Sequence, residues 1–336
     1  MKQNGNIKKH RIILIGHGGI SKSYLKAFTA IDHVAIVGVV GRSSEKAKAF
    51  AAEHGIPFSG NRVDEVALQS AATAAVICTP NAVHYEGVMA ASQAGLHCLC
   101  EKPLDIALDK QQLMVASCRT HQVKLAVSYM RRFSSHMQYI KGVLDSGALG
   151  RITTMDVSLK HFREKEYYSS WHGTKDLDGG GPFIQQASHM IDLVLWLSGG
   201  HREVISAKLF QIYHEIETED HGYAIIHYNN GAIGMIQAST ACKGLNQETI
   251  EISGTEGSIV ANYNEIISFH VAGIQQPVCT ESGGGNVHLF ERLAVDFIQS
   301  IDENRLPFID GESAARTTEF IRAIYDAAGE PIRTFS

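Results

Sequence analysis

The run Arg11-Ile12-Ile13-Leu14-Ile15, closed by Gly16-His17-Gly18-Gly19-Ile20-Ser21, restricts the fold more than any other stretch of the chain. An unbroken apolar run of this length suits a strand covered on both faces, as inside a parallel sheet. The glycines let the backbone turn tightly, and a helical pattern follows to Ala30. Strand, glycine loop and helix in that order are the setting of a dinucleotide-binding turn, because N–H groups at a helix N-terminus face the pyrophosphate. Gly16, His17, Gly18, Gly19 and Ile20 are therefore cofactor-binding candidates. Ser21 replaces the third glycine of G-x-G-x-x-G and is small enough for helix and strand to pack closely. Two glycines in a βα turn are common without any ligand, so the neighbouring strand ends matter.

The alternation recurs at 34–40, 74–78, 97–100 and 124–129, which read as strands, with a short one near 56–58. Helical patterns at 45–54, 83–94 and 108–121 separate them. This predicts a mostly parallel sheet with helices on both faces, where ligands lie beyond the carboxyl ends of the strands. Those ends carry Gly41-Arg42-Ser43 with Lys46, then Cys78-Thr79-Pro80-Asn81 with His84, then Glu101-Lys102-Pro103. All are cofactor candidates except Pro103. An NAD-preferring site would place an acid after the second strand, and Gly41-Arg42-Ser43-Ser44 has none. The planar fork of Arg42 suits a 2′-phosphate, which makes NADP(H) the preferred cofactor and NAD(H) a usable one. The competing reading is a helix cap by Ser43 or Ser44 with Arg42 in solvent. Pro103 fixes its own φ and biases Lys102 toward extended backbone, so the lysine stands on a short stiff connector.

Past residue 130 the pattern changes. Residues 151–162 alternate in strand fashion, and several strand-like segments recur over 202–271, split by turns such as Asn229-Asn230-Gly231. Helical patterns cover 133–144, 288–303 and 311–328. The polar, aromatic stretch 164–178, with Tyr167, Tyr168 and Trp171, reads as a loop over a site. The expected architecture is an α/β Rossmann domain over 1–130 and an α+β domain over 131–336 with an open, mainly antiparallel sheet. A chain of 336 residues has the length for two such cores. Gly179-Gly180-Gly181-Pro182 leads into an expected helix over 183–197, on which Gln185, His189, Asp192 and Trp196 share a face. A buried polar group without a partner costs about 1–3 kcal/mol, so a lone histidine there is ordinarily a satisfied core residue. One turn from Gln185 and just after a triple glycine, His189 reads as a site residue instead. Tyr129, Arg131, Arg163, Trp171, Gln185, His189 and Lys102 are the substrate-binding candidates.

A net charge of −5 argues against nucleic acid as the main partner. Residues 1–11 lack the apolar core of a signal peptide, and no apolar run approaches the roughly 20 residues of a membrane span. The six cysteines, Cys78, Cys98, Cys100, Cys118, Cys242 and Cys279, follow neither a zinc nor a thioredoxin spacing. They fit buried thiols in a reducing cytoplasm. His201, His214, His221 and His227 match no standard ligand set, so no metal is expected.

Taken together, these motifs resemble the glucose-fructose oxidoreductase / inositol dehydrogenase family (Gfo/Idh/MocA). The resemblance rests on Gly16-His17-Gly18-Gly19-Ile20, Thr79-Pro80-Asn81 with His84, Glu101-Lys102-Pro103, and Gly179-Gly180-Gly181 with His189-Met190-Ile191-Asp192. It covers nearly the whole chain. It implies an NAD(P)-dependent oxidoreductase acting on sugars, polyols and their derivatives, assembled as a homodimer or homotetramer through the C-terminal sheet. By motif, Lys102 would be the catalytic lysine, the acid/base in hydride transfer between nicotinamide C4 and a secondary alcohol carbon. His189 would be its partner near the reacting carbon, and Thr79, Pro80, Asn81 and Glu101 would contact the cofactor. One departure matters: many members carry aspartate four residues before the histidine, and here Gln185 stands there. An amide can neither act as a base nor stabilise an imidazolium as a carboxylate does, so the proton work shifts to Lys102. The alternative is a non-catalytic dinucleotide- or sugar-binding regulator of the same fold. Relatives of that kind tend to lose the lysine or the histidine, and both are present.

Overall fold

The computed structural model describes residues 10–277 and 286–334, so Cys279 lies outside the described residues. Internal contacts divide the chain into two units. Residues up to 128 and 284–315 form one, and 129–283 with 316 onward form the other.

In the first unit, β1 (His10–Ile15), α1 (Gly19–Thr29), β2 (Val34–Val40), α2 (Ser44–Glu53) and β3 (Phe58–Gly60) are followed by α3 (Val63–Ser70) and β4 (Ala74–Ile77). Then come α4 (His84–Gln93), β5 (His97–Cys100), α5 (Leu108–Thr120) and β6 (Leu125–Val127). The six strands pair in parallel in the order β3-β2-β1-β4-β5-β6. The chain reverses direction of growth between β1 and β4, and a ligand crevice in such sheets opens at that switch point. Ile12, Ile13 and Leu14 of β1 and all four residues of β4 are fully buried, as strands covered on both faces must be. Sequence periodicity gave no helix at α3, whose Leu68 is exposed; the helix docks because Gly38 of β2 leaves room for Val66.

The second unit holds α6 (Ser135–Asp145), β7 (Ile152–Lys160), α7 (Ser188–Ser198), β8 (His201–Gln211), β9 (His221–Tyr228) and β10 (Ile233–Ser239). After these run β11 (Gln247–Gly254), β12 (Gly257–Ala261) and β13 (Ile266–Val271). The chain continues through α8 (Val287–Asp302), α9 (Gly311–Ala328) and β14 (Ile332–Arg333). Eight strands form one open sheet, β13-β12-β11-β7-β10-β9-β8-β14, antiparallel except for the β7–β10 and β8–β14 pairs. On β9, Ala224, Ile226 and Tyr228 are buried while Tyr223 and Ile225 are exposed, the period-two alternation of a sheet with one covered face.

Two features depart from the sequence expectations. Helix α8 belongs to the first unit, not the second: Phe290 meets Tyr24 edge-on at 5.1 Å, and His10 Nε2 lies 2.8 Å from Asp302 Oδ1. The glycine-led helix also starts later than expected, at Ser188. Over 182–187 the chain makes turns instead, with the Ala187 N–H donating to the Pro182 carbonyl at 2.7 Å, one residue wider than an α-helical turn.

Candidate functional site

In the first unit the candidates gather at the carboxyl ends of the sheet. Gly16 has φ +107°, and a Cβ there would stand 2.7 Å from the Cys78 carbonyl oxygen, so glycine is required. The Ser21 hydroxyl donates back to the Gly16 carbonyl at 3.2 Å, closing the loop. Gly18 caps α1 with no side-chain hydrogen bond, and a Cβ at Gly18 or Gly19 would meet nothing within 4 Å. The start of α1 therefore carries bare glycines with no side chain crowding them, which fits the pyrophosphate of a dinucleotide. His17 is not a free loop residue: its ring covers Gly41, where a Cβ would collide with the imidazole.

After β2, the Ser43 hydroxyl accepts the Lys46 N–H at 3.3 Å, so Ser43 serves as the cap of α2. Arg42 and Lys46 are exposed. After β4, the Thr79 hydroxyl donates to the Val83 carbonyl at 3.1 Å, shaping a 3₁₀ turn over Asn81–Val83. His84, expected at the cofactor, is fully buried. Its Nδ1 lies 2.8 Å from the Pro103 carbonyl oxygen and its Nε2 2.9 Å from that of Thr79. The ring stands between these two turns with a nitrogen facing each carbonyl, and its N–H donates to one of them.

The backbone around Lys102 is fixed residue by residue. Tyr24 donates its hydroxyl to Glu101 Oε1 at 2.5 Å, and the Lys102 N–H donates to Glu101 Oε2 at 3.2 Å. His84 takes the Pro103 carbonyl. Asp105 accepts N–H groups of Tyr85 and Ala107, and the Gln111 amide donates to its carbonyl at 2.6 Å. Three helices, α1, α4 and α5, thus hold one short connector. Burial and the Glu101 charge push the Tyr24 hydroxyl well above the ordinary phenol range, so it remains a donor. Sequence gave no sign of Tyr24, which lies on the buried face of α1.

In the second unit, His189 at the start of α7 meets the buried ring of Tyr129 edge-on at 6.0 Å. Gln185 Nε2 donates to His172 Nδ1 at 3.1 Å. The His172 ring stacks on Tyr167 with centroids 4.1 Å apart and lies 3.9 Å from the Trp171 ring. Gln186 Nε2 donates to the Tyr167 hydroxyl at 3.0 Å. Arg163 adds its guanidinium over the same Tyr167 ring at 5.3 Å. The expected site loop and the two glutamines after the triple glycine therefore meet in one cluster.

Two arginines before α6 are committed elsewhere. Arg131, a substrate candidate, is buried in an ion pair with Glu248 and lies 4.1 Å over the Tyr263 ring. Burial pushes the Glu248 carboxyl up, but His161 and Arg131 outweigh it and hold it at about 2. Arg132 grips Asp192 with two bonds of 2.7 and 2.6 Å, and Thr317 donates to the same carboxylate at 3.0 Å. Asp192 is thus a scaffold residue. Glu219, which sequence reading missed, is buried against the triple glycine and accepts the Gly181 N–H at 3.0 Å and the Tyr325 hydroxyl at 2.8 Å. Burial raises its carboxyl to about 7 against the pull of these donors. A Cβ at Gly181 would sit 1.9 Å from the Glu219 carbonyl oxygen, so that close approach accounts for the glycine.

Comparison with known proteins agrees with this layout. Residues 10–129 match the model of an oxidoreductase family with an NAD-binding Rossmann fold, and residues 137–260 match the GFO/IDH/MocA C-terminal domain. 4-Carboxy-2-hydroxymuconate-6-semialdehyde dehydrogenase of Sphingobium sp. is 27% identical over 94% of this chain and 96% of its own. D-glucoside 3-dehydrogenase of Escherichia coli is 23% identical over 95% of each chain. Among solved structures, the WlbA dehydrogenase from Bordetella pertussis, in complex with NADH and UDP-GlcNAcA, superposes with a TM-score of 0.86 at 28% identity. That match covers 96% of this chain and 97% of the other.

Proposed function

The chain belongs to the Gfo/Idh/MocA family of oxidoreductases acting on CH–OH groups, and from that premise we propose that Lys102 is the acid/base of a reversible hydride transfer on a sugar, polyol or sugar derivative. The observation that carries this reading is the three-helix support of the Glu101-Lys102-Pro103 connector, an investment of buried polar groups that a solvated surface lysine does not need. WlbA was solved with a sugar nucleotide and the E. coli relative is named for a glucoside, which supports the substrate class.

The N–H groups after Gly18, the turn at Thr79–Asn81 and Arg42 would hold the dinucleotide. Bound there, it supplies the hydride acceptor or donor. Lys102 takes the hydroxyl proton as the substrate carbon is oxidised and returns it in reduction. Both Glu101 oxygens accept from scaffold donors, so the carboxylate fixes the lysine's backbone. His189 and Gln185 contact substrate hydroxyls; Gln185, already donating to His172, acts as a hydrogen-bonding group and not a base.

NADP(H) preference follows from Arg42, exposed at an end of β2 that carries no acid. Arg42→Ala is expected to raise the NADP(H) KM about tenfold or more while the NAD(H) KM stays within roughly twofold, since a lost charged contact is worth about 1.5–3 kcal/mol. Equal changes for both cofactors in steady-state kinetics would remove the assignment.

A second copy of the chain is the proposed partner of the open sheet. Tyr223, Ile225, Ile233 and Met235 leave apolar surface on neighbouring strands β9 and β10, where Met235 pairs directly with Ile225. Sedimentation should show a dimer or tetramer for the native chain and dissociation for Ile225→Asp. A monomeric native chain would contradict this. Among the described residues no helix is long and apolar enough to cross a membrane.

A further inference from the structure

We infer that Arg163 is an anion-recognition residue, so that the preferred substrate is an acidic sugar derivative carrying a carboxylate or a phosphate. The inference rests on the sugar-oxidoreductase reading and narrows it. Arg163 is partly buried at the head of the 164–178 stretch, and among the described residues no carboxylate pairs with its guanidinium. Its Nε is buried and has no hydrogen-bond acceptor. Buried polar groups in folded proteins are almost always met, and those that are not point to a missing ligand or water.

The other arginines buried in this unit show the contrast. Arg131, whose Nε is also unmet, has the counter-charge of Glu248, and Arg132 has that of Asp192, whereas Arg163 has none among the described residues. Asp178, beside the aromatic cluster, is already engaged: it accepts the Gly173 N–H at 2.8 Å and lies 3.6 Å from His172 Nδ1. Arg163 is instead held over the Tyr167 ring, itself fixed by Gln186 and stacked on His172. The backbone beneath is pinned, with the Arg163 N–H on the Thr240 carbonyl at 3.0 Å and its carbonyl on His214 Nε2 at 2.8 Å. A guanidinium fixed on an aromatic face, in contact with the residues that lead to Gln185, offers a planar fork to two anionic oxygens. Carboxylate and phosphate both fit that fork.

The test compares matched pairs: a uronic acid against its parent aldose, and a sugar phosphate against the free sugar, each with the native protein, Arg163→Ala and Arg163→Lys. For the native protein the acidic member of at least one pair should have a kcat/KM roughly tenfold to a hundredfold higher, the range of one charged hydrogen bond. That ratio should fall toward one in Arg163→Ala, mainly through KM, and partly return in Arg163→Lys. The uronate and phosphate arms identify which anion is recognised. A native ratio near one in both pairs, or a ratio unchanged by Arg163→Ala, overturns the inference. Where no pair turns over, calorimetry of the same pairs with cofactor-loaded protein decides the anion question, and the hydride-transfer reading is decided separately by the wider sugar panel. Acid-selective binding lost in Arg163→Ala upholds it, and binding without selectivity overturns it.

Discussion

Lys102→Met is expected to lower kcat by about 10²–10⁴, the range contributed by a positioned proton-transfer group. The methionine keeps the length and much of the packing of the lysine stem but can neither take nor give a proton. Its backbone should stay in place, because Tyr24, Glu101, His84 and Gln111 bond the connector through the Glu101 carboxylate and backbone groups. Dinucleotide affinity, measured by nicotinamide fluorescence, should therefore change by less than about threefold, within roughly 0.7 kcal/mol. Loss of cofactor binding together with turnover would show that Lys102 holds the dinucleotide and does not act on the substrate. Turnover within a few-fold of the native rate would assign the proton to another group.

Asp192→Ala should produce the largest loss of stability among single changes in the second unit. Removing the carboxylate leaves the Arg132 guanidinium, with a side chain only 7% exposed, buried without its counter-charge. Breaking such a pair from one side costs about 3–5 kcal/mol. That is a large share of a total stability of about 5–15 kcal/mol. Urea denaturation of the native chain and the variant measures the difference. Replacing both partners, Arg132→Met with Asp192→Leu, should recover most of it, because the desolvation cost of the charges disappears with them. A loss below about 1 kcal/mol for Asp192→Ala would mean that water reaches the guanidinium.

What sequence could show here was set by range. The β1 strand, its glycine loop and α1 were readable because period, glycine spacing and order all lie within one short segment. The strand ends bearing Thr79 and Lys102 followed by the same logic. His84 could be flagged by motif, but its partners are the carbonyls of Thr79 and Pro103, and only the fold brings those together. Tyr24 was silent for the same reason, since Glu101 stands 77 positions away in the chain. The spacing of Gln185 and His189 suggested one helical face, yet Pro182 and the triple glycine open a wider turn ahead of Ser188. Asp192 read only as a polar group sharing the face of His189, and Arg131 as a substrate-binding residue. Each instead has a partner distant in sequence, Arg132 and Glu248, that neutralises it. The return of α8 to the first unit had no local sign at all, because Phe290 finds Tyr24 only after the second unit has been made.

The central claim is that the chain moves a hydride between a nicotinamide dinucleotide and a sugar. The most direct measurement follows the nicotinamide absorbance while the protein is offered oxidised and reduced NADP and NAD with aldoses, ketoses, inositols, uronic acids and nucleotide sugars. The account predicts a net, substrate-dependent change with at least one sugar class, faster with NADP(H) than with NAD(H), and abolished by Lys102→Met. Tight dinucleotide binding with no net change for any sugar would contradict it and leave a binding protein of the same fold.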